Sequence, residues 1–260
     1  MTTRSGATTR RLGAMLLAMA GLAGIGRAEA AEIKVLSAGA VRAIVTELAG
    51  AFEKETGHKV SLAFGTVGVT RQRLATEPAD VVIMSDVAID ESIKQDRVVS
   101  GTRTDIARTG IGVGVRDGAP KPDISTPEAF KQSLLAAKSL TYVDPAQGAT
   151  SGIHFAGVLQ TFGITDAMKA KTTLVPGGYP AELVAKGEVE MVVHQISEIV
   201  PVKGVTLVGP LPREVQKVTV YSAGIATKAT APEVARAFVA FLTTPAVKPK
   251  FAAAGLDYKE

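Results

Sequence analysis

The sequence predicts an α/β protein of two lobes with a ligand cleft between them, and three observations carry that prediction. Short β-rich runs alternate with amphipathic helical stretches along residues 31–260. One run, "ADVVIMS", is apolar throughout, as in a strand buried on both faces of a parallel sheet. Two extended runs, "IARTGIGVGVRDGAPKP" and "KVTVYSAGIATKA", lie about a hundred residues apart and bracket a second α/β set, as strands crossing between lobes would.

In chain order, "EIKVLSAG" reads as a strand ending in small residues, and "VRAIVTELAGAFEKETG" places Ile44, Leu48, Ala51 and Phe52 on one helical face that stops at Gly57. "KVSLAFG" is the next strand, "VTRQRLATE" a helix and "ADVVIMS" the buried strand. The second set comprises "SLTYVDP", a helix from about Gly152 to Phe162, "TTLVPGG", a helix from about Pro180 to Gly187, "VEMVVHQ" and "VTLVGPL". "APEVARAFVAFLTT", with Pro232 in its first turn, is a helix that returns to the first lobe. The expected division is 31–112 and 218–260 for lobe 1 and 113–217 for lobe 2, with closure by hinge motion. No internal repeat, low-complexity segment or heptad pattern is visible.

Residues 1–30 read as a secretory signal: Arg4, Arg10 and Arg11, then an apolar run from Leu12 to Ile25, then the small-x-small pattern Ala28-Glu29-Ala30. That run is 14 residues long, short of the ~20 a spanning helix needs. A periplasmic protein without membrane insertion is expected, by a general or a twin-arginine route. Cleavage after Ala30 leaves 25 basic and 24 acidic residues, a balance with no footprint for nucleic acid. With no cysteine, disulfides and thiolate chemistry are excluded, and three separated histidines make no recognisable metal spacing. No cofactor is expected, and the mature chain is read as a monomer.

In "YVDPAQGATSGIHF" a strand passes through a turn of small residues directly into a helix. Small residues there leave backbone N–H groups uncovered, and those donors with the helix dipole form an anion site.

The ordered set "VLSAGAVRAIVTELAGAFEKETG", "PADVVIMSD", "YVDPAQGATSGIHFAGVLQTFGI", "VAKGEVEMVVHQISEI" and "AGIATKATAPEVARAFVAFLTTPAVKPKFAAAGL" resembles the periplasmic molybdate-binding family of solute-binding proteins. The resemblance covers nearly the whole mature chain and implies a two-lobed periplasmic solute-binding (type II) fold. It also implies an anion held in the cleft by neutral hydroxyls and backbone N–H groups.

This chain departs from that pocket. Where the family has a ligand serine after the first strand, Ser37, Ala38 and Gly39 lead to Ala40, and Arg42 follows. The serine-rich second turn becomes Gly65, Thr66, Val67 and Gly68, with Arg71 and Arg73 on the next helix. The family's Ala-Gly-Ile-Tyr becomes Ser151, Gly152, Ile153 and His154, and its ligand tyrosine becomes His194. Fewer hydroxyls and more titratable or cationic groups suit a larger anion with several carboxylates. The branch with "HQISEI" and "KGVTLVGPLP" resembles periplasmic aconitate isomerases.

That resemblance implies interconversion of cis- and trans-aconitate by proton transfer, with His194 as base or acid and His154 as second participant. Ser37, Gly39, Thr66, Thr150, Ser151, Gly152 and Gly178 would clamp carboxylates, helped by Arg42, Arg71 or Arg73. Each residue also has a plainer reading. His194 ends an apolar strand and serves equally as a core residue; His58, in "TGHKV", reads as a loop residue. The arginines fit exposed helix charges, and Thr150 and Ser151 fit helix caps. Three classes stay open: an isomerase, the binding component of an ABC importer for molybdate or a similar oxyanion with its permease partner, and a non-catalytic carboxylate binder.

Overall fold

The structure is a computed structural model that describes residues 1–3 and 30–258. The leader read from residues 1–30 therefore falls, but for its ends, outside the described residues. The chain opens with β1 (Glu32–Ala38), α1 (Arg42–Thr56), β2 (Lys59–Gly65), α2 (Val67–Thr76), β3 (Val81–Ser85), α3 (Asp86–Lys94) and β4 (Thr104–Thr109). There follow β5 (Ile111–Arg116), α4 (Pro127–Ala136), β6 (Leu140–Val143), α5 (Thr150–Thr161), α6 (Thr165–Lys169), β7 (Thr172–Val175), α7 (Ala181–Ala185), β8 (Met191–Gln195), α8 (Ile196–Ile199) and β9 (Val205–Pro210). The chain ends with β10 (Thr219–Ile225), α9 (Pro232–Phe241), α10 (Lys248–Ala253) and β11 (Asp257–Tyr258).

These strands form two sheets, ordered β11-β4-β10-β3-β1-β2 and β7-β6-β8-β5-β9. Both follow one plan. Three parallel strands (β2-β1-β3 and β7-β6-β8) are followed by one antiparallel strand from the chain's crossing, β10 or β5. The sequence shows no repeat, so this is a repetition of topology. In such sheets the carboxyl ends of the parallel strands open onto a crevice where ligands bind. Here Ala38, Gly65, Val143 and Gln195 line the space between the lobes.

Local chemistry explains the elements that matter for that crevice. Helix α1 buries Ile44, Val45, Leu48, Ala49 and Phe52 and ends at Gly57, whose φ of 78° suits a residue without Cβ. Phe52 then meets Phe238 of α9 edge-on at 5.3 Å, which ties the returning helix to lobe 1. In lobe 2, Tyr142 on β6 and Phe155 on α5 make the same kind of contact at 5.0 Å and fix α5 behind its strand.

The run "IARTGIGVGVR" reads as one strand in the sequence. The structure breaks it at Gly110, with β4 in the first sheet and β5 in the second. The reason lies in the other crossing. Gln216 accepts from the Ile111 N–H at 2.9 Å and donates to the Ile111 carbonyl at 2.8 Å, so its amide takes the place of a strand partner there. The two connections between lobes are thereby tied side by side.

The lobes are closed on each other. The Gly68 N–H donates to the Gly148 carbonyl at 3.1 Å, and Thr66 Oγ1 donates to the Gln147 carbonyl. A Cβ on Gly68 would lie 2.7 Å from the Gln147 oxygen and 2.8 Å from Gly148 Cα, so side chains are excluded where the two backbones touch. Among the described residues no helix is long and apolar enough to cross a membrane.

Two glycine substitutions separate closure from folding. Gly68→Ala should leave the melting temperature nearly unchanged but keep the lobes apart, seen by small-angle scattering as a larger radius in saturating ligand. Gly152→Ala would drive a Cβ into the Val143 carbonyl inside lobe 2 and should cost about 2 kcal/mol or more of stability in a denaturant titration.

Candidate active site

Helix α5 supplies the first element of the site. Ala149 precedes it and offers no side-chain cap, so the first N–H groups of a 12-residue helix point into the cleft beside Thr150 and Ser151. The strand-to-helix turn legible in the sequence is thus an uncapped helix end in a sheltered space.

His194, at the end of β8, is 2% exposed and lines the same space. Its Nδ1 lies 3.0 Å from Ser151 Oγ, and its Nε2 lies 3.1 Å from Glu198 Oε2. The second pair is close but not aligned as a hydrogen bond, so Nε2 keeps an unmet bonding capacity. Gln195 Oε1 is likewise buried without a partner, while its Nε2 donates to Thr150 Oγ1 and to Tyr221 OH, both at 3.1 Å. Buried polar atoms in folded proteins nearly always find partners. Two of the four exceptions among the described residues, one on His194 and one on Gln195, belong to residues lining this cleft.

Lobe 1 contributes a cation and a phenol. The Arg42 guanidinium sits over Phe64 at 4.7 Å and reaches across the cleft to Tyr179 at 5.6 Å. It has no carboxylate within ion-pair distance among the described residues. Tyr221, on β10, is 1% exposed, and its hydroxyl also lies 3.3 Å from Thr150 Oγ1 in the opposite lobe. Burial, reinforced by the nearby Glu198 carboxylate, pushes the Tyr221 phenol far above its ordinary pKa, so it remains a neutral donor. Burial and then Glu198 also raise Tyr179.

Of the residues singled out in the sequence, Gly39, Arg42, Thr66, Thr150, Ser151, Gly178 and His194 line the cleft. Others do not reach it. Arg71 and Arg73 lie further along α2, paired with Glu91 at 2.7 Å and Glu77 at 2.8 Å on the flank of lobe 1. His154 sits one turn into α5, about 5 Å beyond its N-terminus, and its Nε2 meets the Val215 carbonyl at 2.8 Å. Ser37 precedes Ala38 on a strand whose side chains alternate between faces, so Ala38 lines the cleft while the Ser37 hydroxyl is buried against the Ala38 carbonyl. Gly152 packs under Val143. His58 accepts from the Ala31 N–H at 3.1 Å, away from the cleft.

Three residues that sequence reasoning passed over complete the site: Glu198, Gln195 and Tyr221. Glu198 is 7% exposed, and a Cβ on Gly39 of the opposite lobe would lie 2.7 Å from its Oε1. Glycine at position 39 leaves the carboxylate this place when the lobes meet, and a Cβ there would push it aside.

A cleft of this build, with paired lobes, an uncapped helix end and an unpaired arginine, is that of a protein that encloses a small anion. The chain belongs to the bacterial extracellular solute-binding protein family, whose model matches residues 33–257. It is 37% identical over 243 residues to an aconitate isomerase from a Pseudomonas species, covering 91% of this chain and 90% of that protein. It is 32% identical over 193 residues to the molybdate-binding protein ModA of Azotobacter vinelandii, covering 72% and 71%. The solved periplasmic molybdate-binding protein of A. vinelandii superposes with a TM-score of 0.73 over 88% of this chain and all of that one, at 20% identity. The fold is therefore the two-lobed α/β fold of periplasmic solute-binding proteins.

The hydroxyl of Tyr221 bridges lobes, which gives it a measurable role. Tyr221→Phe should cost about 1 kcal/mol of closure, or about a fivefold loss of affinity for a ligand enclosed by both lobes. Calorimetric titration would read the affinity, and melting of the free protein should move little.

Proposed function

We propose that the protein is a periplasmic isomerase that encloses a tricarboxylate in this cleft and interconverts cis- and trans-aconitate. The carrying observation is the buried His194 imidazole in the cleft of a chain that matches an aconitate isomerase over nine-tenths of its length. The lobes close by rotation about the connections tied at Ile111 and Gln216; because β5 begins at Ile111 in the second sheet, residues 31–110 and 218–260 move against 111–217, two residues short of the 112 boundary expected from the sequence.

The chemistry needs no electron transfer. Aconitate carries a methylene flanked by a carboxylate and a double bond. Removing one methylene proton gives an anion delocalised over three carbons and into the carboxylates. A proton added at the far carbon completes the shift of the double bond, whose geometry is set by the conformation of the methylene arm at the moment its proton leaves. His194 takes the first proton: it is the histidine that lines the cleft, and its Nε2 has no hydrogen-bond partner. The Ser151 hydroxyl occupies Nδ1 and holds the ring, which leaves Nε2 as the nitrogen without a hydrogen-bond partner. Arg42 and the N–H groups opening α5 receive charge as it spreads into a carboxylate. Closure excludes water from the intermediate anion.

Thermal-shift measurements on the mature protein should show stabilisation by cis-aconitate, trans-aconitate or citrate, about 2.7 kcal/mol at 100 times the dissociation constant, and none by molybdate. The reverse pattern would favour the importer reading. In a chromatographic isomerisation assay, His194→Gln should lose roughly 100- to 10,000-fold in turnover while keeping much of its affinity. Arg42→Gln should instead weaken binding by about 10- to 100-fold.

A further inference from the structure

We propose that Glu198 is the second proton-handling group of the site, working with His194 as a pair that removes and returns protons on one face of the bound anion. The inference rests on the isomerase reading. A 1,3-shift needs two proton positions, and His154, the second histidine of the sequence reading, is held by the Val215 carbonyl away from the cleft. Glu198 lines the cleft, is 7% exposed, and brings Oε2 to 3.1 Å from His194 Nε2.

The spacing fits the reaction. Two carbon–carbon bonds of about 1.5 Å set the ends of an allyl unit about 2.5 Å apart. Two groups 3.1 Å apart can thus address both ends without moving. They also come from adjoining elements of one lobe, β8 and α8, and so lie on the same side of whatever the cleft encloses. In the balanced step, His194 takes a proton from the methylene, the electron pair spreads over the allyl carbons, and the Glu198 carboxyl O–H gives its proton to the far carbon. His194 is then protonated and Glu198 ionised. On opening, the imidazolium loses its proton to solvent and the carboxylate takes one from solvent, which restores the pair.

Charge supplies an independent argument. The other charged and titratable groups around Glu198 are Arg42 and the phenols Tyr179 and Tyr221, with His194 beside it. A carboxylate that stayed ionised would repel a polyanion, whereas one that holds the reaction's proton when the anion is bound would not. Glycine at position 39 gives this carboxyl its room in the closed state.

The test uses the mature protein, with cis- and trans-aconitate as substrates and propane-1,2,3-tricarboxylate as the unreactive probe. Glu198→Gln removes the charge and the transferable proton but keeps the shape. It should bind the probe at least threefold more tightly by calorimetry and lose at least 100-fold in turnover. If Glu198 only held the His194 ring, the glutamine amide oxygen would still do so and turnover would stay within a few fold, which would overturn the proposal. Glu198→Asp, which keeps the charge and withdraws the carboxyl by one methylene, should bind normally but turn over at least tenfold more slowly; full turnover would also overturn it. In deuterium oxide, product formed by the wild type at low conversion should carry one solvent-derived deuterium, and retention of the substrate's own proton would indicate one shuttling base and reject the pair. A wild type that binds aconitate without isomerising it would instead reject the isomerase reading, and this proposal with it.

Discussion

Where the backbones of Gly68 and Gly148 touch, the two lobes meet with no side chain between them, and the chemistry of the cleft depends on that contact. It brings Gly39 against Glu198, Arg42 against Tyr179, and Tyr221 against Thr150 and Gln195, four pairs with one partner in each lobe. An alanine at position 68 or 148 would hold the lobes apart and leave all four pairs incomplete. Closure also makes His194 and Glu198 buried groups, and burial is what gives fixed donors and acceptors their electrostatic weight.

The ends of the parallel strands were legible in the sequence because their chemistry is local. Small residues after "VLSAG" and "YVDPAQGATSG" mark turns into helices, and such turns face the crevice of an α/β sheet whatever the rest of the chain does. His194 was legible for a similar reason, as a polar residue closing an apolar strand. Arg71 and Arg73 were not placed correctly, because only the direction of α2 decides whether a cation on it faces the cleft or the flank, and that direction is set by packing on β1 and α3. Tyr221 was hidden in a run that looks like core, and its partners belong to the other lobe. Glu198 was hidden by sign: a search for groups that attract an anion passes over a carboxylate. Its spacing of four from His194 carries little signal either, since a strand-to-helix junction separates them.

The fold that encloses a small anion needs little alteration to change it chemically. Enclosure already supplies orientation and exclusion of water, which are large parts of catalysis. In the proposed mechanism, helix α5 and Arg42, which line the cleft, would hold negative charge in the ground state and as it spreads during proton removal. What a binder lacks is a base near an acidic carbon and a way to put the proton back. In the proposed mechanism, the tyrosine-to-histidine difference at position 194 expected from the molybdate-binding pattern would supply the first.

Glu198 bears on the second, and its energetics separate binder from enzyme. Two like charges 4 Å apart repel by about 4 kcal/mol at an effective dielectric of 20, equivalent to about a thousandfold in affinity. A protein whose task ended at capture of a polyanion would lose that much by setting an ionised carboxylate in its own site. A proton held on Glu198 removes the repulsion, and that proton is the one an allylic shift must deliver. The feature that would weaken a transporter's grip is therefore the feature a proton-transfer catalyst requires, and the glycine at position 39 keeps the space for it.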